Sequence, residues 1–224
     1  MIDQNPTSLF LYLLDLLGVA VFAVSGALAA GRKRLDLIGV MVLGLVTAVG
    51  GGTIRDVLLA RHPIFWLSDS RYVIVIVASA LATVAYVRWR RPPAGSLLYA
   101  DALGLAMFSI TGARIAEHAG LPAVAGIVLG TITGAAGGAV RDVLSAEIPL
   151  VLRRGNLYAS AAILGTGTYF ALVDLGAPRT MATWIGLAII IVVRLASIAW
   201  GLQLPVFELE DREERIEQRR DSSL

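Results

Sequence analysis

The chain contains no cysteine, so disulfides, thiol nucleophiles and thiolate metal sites are excluded. It has two histidines, His62 and His118, both near the ends of apolar runs, so a histidine-rich metal centre is not expected. Charge is scarce. Only 16% of residues are Asp, Glu, Lys or Arg, against about 25% in soluble domains. The formal net charge of +2 leaves no broad basic face for nucleic acid. No nucleophile–base constellation or zinc-ligand spacing appears. The one glycine run lacks the Lys-Ser/Thr ending of a phosphate loop. The sequence therefore reads as a non-enzyme with no cofactor.

What is present is apolar length. Hydrophobic residues make up 57% of the 224 positions, and mean hydropathy is +0.75. Runs of about 20 apolar residues are long enough to cross a bilayer. Seven candidate helices follow, at about 9–30, 37–60, 71–90, 97–117, 121–144, 156–175 and 181–203. The expected fold is an all-α integral membrane protein. Residues 1–205 form one transmembrane domain, and 206–224 form a charged cytoplasmic tail. Ala27-Leu28-Ala29 imitates a signal-cleavage site, but no basic residue precedes the first run and the run is too long. It is read as a retained span. Trp66, Trp89, Trp184 and Trp200 fall at or near span ends, where an aromatic belt places them.

Basic residues set the expected orientation. With the N-terminus outside, the inner face receives Arg32, Lys33, Arg34, Arg88, Arg90, Arg91, Arg153, Arg154 and the tail's Arg212, Arg215, Arg219 and Arg220. The outer face receives Arg61, Arg71, Arg114 and Arg179. This positive-inside bias places the C-terminus in the cytoplasm.

One stretch occurs twice. Gly50-Gly51-Gly52-Thr53-Ile54-Arg55-Asp56-Val57-Leu58 aligns with Ala136-Gly137-Gly138-Ala139-Val140-Arg141-Asp142-Val143-Leu144 at a shift of 86 positions. The same shift pairs Asp15 with Asp101, Phe22 with Phe108, Ser25 with Thr111, Thr47 with Thr133 and Tyr72 with Tyr158. Repeat one covers about 9–90 and repeat two about 97–175, with three spans each. An odd number of spans inverts the second copy, so a pseudo-two-fold axis is expected in the membrane plane. The seventh span has no counterpart.

Charges inside apolar spans are costly and mark function by default. Arg55 and Asp56 lie roughly 8–12 Å past the midpoint of the second span at 1.5 Å per residue. Arg141 and Asp142 repeat them upside down in the fifth. Neighbours on a helix do not face one another, so each Arg and Asp is expected to find different partners. At least one arginine should reach an aspartate or carbonyl on another span. Gly50, Gly51 and Gly52, with Gly137 and Gly138, permit a kink or an unwound stretch that lines a pore. They equally suit close helix packing, since small residues recur at every fourth position from Gly126 to Gly138. Ser25 and Thr111 offer mid-span hydroxyls to a polar solute, or bond back to their own helices. Asp15 and Asp101 read as mouth charges that concentrate cations, or as interfacial residues. Arg194 in the seventh span either snorkels or pairs with an acid.

Duplicated Gly-Gly-Gly-x-x-Arg-Asp in a three-plus-three-plus-one arrangement resembles the prokaryotic branch of the trimeric intracellular cation (TRIC) channels. Gly50, Gly51, Gly52, Arg55 and Asp56 match in full, and Ala136 replaces the first glycine of the second copy. The resemblance implies a homotrimer in the lipid bilayer of a bacterial or archaeal inner (plasma) membrane. Each subunit would hold its own hourglass pore for potassium and other monovalent cations, between spans one, two, four and five. The same sequence group is described as including transporters of small solutes such as glycine. One tension stands: unpaired arginines in a pore repel cations, so a cation path requires Arg55 and Arg141 to be neutralised.

Overall fold

In the computed structural model, residues 6–153 and 157–203 are described, so the charged tail expected over 206–224 lies outside the described residues. The elements are α1 (Pro6–Arg32), α2 (Leu37–Leu58), a single turn α3 (Phe65–Ser68), α4 (Ser70–Trp89), α5 (Ser96–His118), α6 (Ala123–Leu144), α7 (Ala159–Asp174) and α8 (Arg179–Trp200). A 3₁₀ turn, Leu150–Leu152, precedes α7. Among the described residues, six helices are long and apolar enough to cross a membrane. The sixth expected span, 156–175, is realised as the 16-residue α7, about 24 Å long against a hydrocarbon core of about 30 Å.

Helix is the outcome because lipid offers the backbone no partners, and a helix satisfies each internal N–H and C=O within one segment. The ends are set by local chemistry. Asp36 caps α2 by accepting the Gly39 N–H at 2.7 Å. α2 and α6 stop in the same way. Ala60 and Ala146 take left-handed backbone at φ 50° and 52°. The next N–H turns back, Arg61 to the Asp56 carbonyl at 2.8 Å and Glu147 to the Asp142 carbonyl at 2.9 Å. Apolar side chains such as Ile38, Ile74, Val124 and Val192 are exposed on the outside, as a lipid-facing surface requires.

The two repeats meet as a mirror pair. α1 packs against α5 and α2 against α6. A methyl on Gly18 would touch the Phe108 ring, and one on Gly104 would press into the Phe22 ring. Replacing each residue of one pair by its counterpart 86 positions away gives the other pair with the partners exchanged, which is the signature of an isologous contact. Gly51 meets Thr133 of α6, and Gly137 meets Thr47 of α2, by the same exchange. Phe22 and Phe108 stack at this axis, with ring centroids 5.3 Å apart. The inverted arrangement expected from three spans per repeat is therefore present. α8 packs on α5 and α7 and has no counterpart over α1 and α4.

The glycine runs do not unwind. α2 runs unbroken through Gly50, Gly51 and Gly52, and α6 through Gly137 and Gly138. Of the readings offered for these glycines, the unwound stretch is corrected and close packing is what they serve. Close approach is the reason: a methyl on Gly51 would lie 1.9 Å from the Thr133 carbonyl oxygen, and one on Gly137 2.3 Å from the Thr47 carbonyl oxygen. Gly50 is looser, with Gly137 Cα at 3.5 Å. Gly50→Ala is expected to keep or raise the thermal unfolding midpoint in detergent, since alanine favours helix by about 1 kcal/mol. Gly51→Ala is expected to lower stability by about 1–3 kcal/mol through overpacking. Equal effects of the two would mean that the α2–α6 crossing does not set the glycine requirement.

Candidate functional site

Each Arg-Asp dipeptide closes on itself. Arg55 Nε donates to Asp56 Oδ1 at 2.9 Å, with Nη2 at 2.8 Å. Arg141 and Asp142 repeat those distances. The expectation that the neighbours find separate partners is corrected, because the long guanidinium arm curls back across the turn. With both groups buried, an unpaired charge would be far costlier than the bent side chain. The second carboxylate oxygen ties down the returning chain. Asp56 Oδ2 accepts the Phe65 N–H at 3.0 Å, and Asp142 Oδ2 accepts the Leu150 N–H at 2.8 Å.

Beyond this shared core the copies differ. Arg141 Nη1 donates to Asp101 Oδ1 at 2.8 Å and to the Ser25 hydroxyl, so one guanidinium joins α1, α5 and α6. This bears out the expected bond from an arginine to an aspartate on another span. In the first copy Arg55 lies over the Phe65 ring at 5.4 Å. Its Nη1 has no hydrogen-bond partner among the described residues, nor has Asp15 Oδ1. Asp15 instead accepts the Tyr72 hydroxyl at 3.0 Å. Thr111, the counterpart of Ser25, turns its hydroxyl to the Phe108 carbonyl at 3.3 Å.

The open copy borders a cavity of about 150 Å³, with Asp15, Arg55, Thr111, Phe65 and Tyr72 in its wall. At the opposite end lies a cavity of about 130 Å³ bordered by Asp142, Ser145, Arg32, Lys33, Glu147 and Arg153. Lys33 bonds Glu147 across that mouth, and its ammonium holds the Glu147 carboxyl below the usual range. Along α1 and α5 the buried Phe22–Phe108 stack sits between the two constellations.

The sequence-derived candidates fall as follows. Arg55, Asp56, Arg141, Asp142, Ser25, Thr111, Asp15 and Asp101 are all buried. They collect into two mirror sites, so the interfacial reading of Asp15 and Asp101 is corrected. Asp15 borders a cavity, whereas Asp101 is taken by Arg141. Among the described residues Arg194 neither snorkels nor bonds an acid. Its guanidinium covers the Tyr158 ring at 4.7 Å and donates to the Leu157 carbonyl at 3.4 Å, a cation–π contact. Arg114, counted above on the outer rim, is fully buried and donates to the Thr183 hydroxyl of α8 at 3.2 Å. Sequence reasoning passed over Tyr72, Tyr158, Phe22 and Phe108 as site residues, although the 86-residue shift had already paired them.

A model of the glycine transporter family matches residues 12–88 and again 98–174. Both bounds differ by 86 (98 − 12 and 174 − 88), the same shift. The UPF0126 inner membrane protein YadS of Escherichia coli is 42% identical over 91% of this chain and 99% of its own length. A UPF0126 membrane protein of Vibrio cholerae is 45% identical over 89% of this chain and 83% of its own. Among solved structures, the TRIC trimeric intracellular cation channel orthologue from Rhodobacter sphaeroides superimposes with a TM-score of 0.82 at 41% identity, over 86% of this chain and 99% of that one. A second TRIC cation channel structure gives 0.79 at 36% identity, over 89% and 98%.

Arg141 holds two buried carboxylates and Arg55 one. Arg141→Ala is expected to lower unfolding stability by about 3–5 kcal/mol, and Arg55→Ala by less. Tyr72→Phe, which removes one neutral donor, should cost about 1 kcal/mol. Chemical denaturation of the purified protein in detergent measures all three. The reverse order for the two arginines would contradict the asymmetry.

Proposed function

The chain belongs to the family that unites the glycine transporter model, the UPF0126 membrane proteins and the TRIC channels, and from that membership we propose that it is a potassium-permeable channel for monovalent cations. Each subunit of a homotrimer holds one hourglass pore within the transmembrane unit of residues 1–205. The N-terminus is outside and the C-terminus in the cytoplasm. The short α7 completes a seventh crossing. The glycines at the α2–α6 crossing border the waist, and Asp15, Asp56, Asp101 and Asp142 face the cation route.

Charge balance carries this reading. Arg141 is bonded to two carboxylates, Asp101 and Asp142, and Arg55 to one, Asp56, with Asp15 in the wall of the same cavity. The buried arginines that would repel cations are neutralised. The Arg141 site keeps a surplus negative charge, which attracts cations, and the Arg55 site is balanced once Arg61, 3.6 Å from Asp56, is counted. Two cavities open from opposite ends, and the buried Phe22–Phe108 stack lies between the sites they border without forming part of either wall. This geometry suits a closed hourglass.

One observation favours a second reading, a secondary transporter of a small solute such as glycine. The repeats match in sequence but differ in state, bonded across helices at Arg141 and open at Arg55. Alternating access between inverted repeats produces such inequality. A cavity bordered by both a guanidinium and a carboxylate also suits a zwitterion.

Unitary currents in a planar bilayer, reversing with the potassium gradient, are expected of the channel. Saturable uptake of labelled glycine into liposomes without such currents would replace it with the transporter. In either assay Arg141→Ala or Asp142→Asn should change flux more than Asp174→Asn, which lies exposed at the end of α7. Equal effects in folded protein would remove the Arg-Asp motif from the transport route.

A further inference from the structure

We propose that the groove between the C-terminal ends of α1 and α4 binds one anionic phospholipid. An acyl chain lies in the groove, and the phosphate rests on Arg32. The groove encloses about 470 Å³ and is lined mainly by apolar side chains, among them Leu28, Val84 and Val87, with Pro92 and Pro93 along one side and Arg32 in its wall. A methyl on Gly31 would meet nothing within 4 Å. Around the opening Arg34, Arg90 and Arg91 of the connections and Arg88 of the last turn of α4 are exposed, as is Lys33, which is bonded to Glu147. The acid among them, Asp36, is held by the Gly39 N–H as the cap of α2. An apolar slot beneath a basic rim at a helix end matches the chemistry of a phospholipid with a negative head group.

The other repeat supplies an internal comparison. The counterparts of Leu28 and Thr83, both in the groove wall, are Arg114 and Tyr169. Arg114 bonds Thr183 of α8, and the Cβ of Tyr169 lies against Gly186 of α8. The groove therefore occupies ground that α8 covers in the second repeat. The counterpart of Val84 is Phe170, whose ring fills the space over Gly126. What remains there is a wider, shallower depression of about 620 Å³ rimmed by Glu117 and Asp174. Glu117 there is paired with Arg179 at 2.8 Å, so the same scaffold presents a basic slot at one end and no basic surplus at the other, and an anionic lipid selects the first. A second copy of the chain is a poorer occupant. A packing helix is about 10 Å across, and the Pro92–Pro93 side restricts its approach.

Native mass spectrometry of the purified protein, titrated in detergent with phosphatidylglycerol or phosphatidylcholine, tests the assignment. The wild type should retain one phosphatidylglycerol per chain, at least about five-fold more tightly than phosphatidylcholine, the effect of one basic side chain. Arg32→Gln should lose that preference while still binding both weakly. Val84→Phe, which installs the second repeat's own filler, should lose the lipid while keeping the wild-type unfolding midpoint. Equal retention of the two lipids by the wild type, or undiminished phosphatidylglycerol on a folded Val84→Phe protein, overturns the proposal. So does efficient disulfide cross-linking between copies of a Thr83→Cys variant in membranes, which would assign the groove to a subunit contact.

Discussion

A guanidinium buried among apolar helices must be matched by carboxylates, and that requirement organises this protein. Arg141 is the clearest case. It is anchored to its neighbour Asp142, to Asp101 on α5 and to Ser25 on α1. Removing water strengthens these bonds and makes their loss expensive. The pairing sets where α1, α5 and α6 sit relative to one another. It also fixes the chain after α6, because the spare oxygen of Asp142 holds the Leu150 N–H. Arg55 and Asp56 do the same for α2 and Phe65.

The second constraint is steric. Helices in lipid have little hydrophobic drive to associate and rely on close packing. Gly51 and Gly137 admit the carbonyls of Thr133 and Thr47 at distances no side chain would allow. The crossing lies between the two charged constellations and is followed on each helix by its Arg-Asp pair. Close packing at the waist and ion pairing on either side of it thus come from one nine-residue motif used twice.

Much of this was legible in the residues. The shift of 86 positions foretold the inverted pairing, and the long apolar runs located the helices to within a few residues. The eight polar candidates do gather into two sites. What escaped detection depended on three-dimensional reach. The partner of Asp101 lies 40 residues away and is found only when α5 and α6 pack. The closing of Arg55 on Asp56 defies helix-face rules, because a long flexible arm is not confined to the direction of its Cβ. Three glycines in a row look alike in sequence, yet only their neighbours across the crossing tell Gly50 from Gly51. Arg114 lies near a helix end, where an exposed rim is the natural expectation. Its burial depends on α8, an element without a counterpart.

Phe22 and Phe108 straddle the pseudo-symmetry axis, and their stack is its own image under exchange of the repeats. Were the proposed path to pass between the repeats at this point, the barrier would be equally high from either side. Rectification, if the protein shows any, must then originate outside the stack. It would come from the unlike approaches: Asp15 under a half-exposed Arg61 at one entrance, and the Lys33–Glu147 bridge with Arg153 at the other.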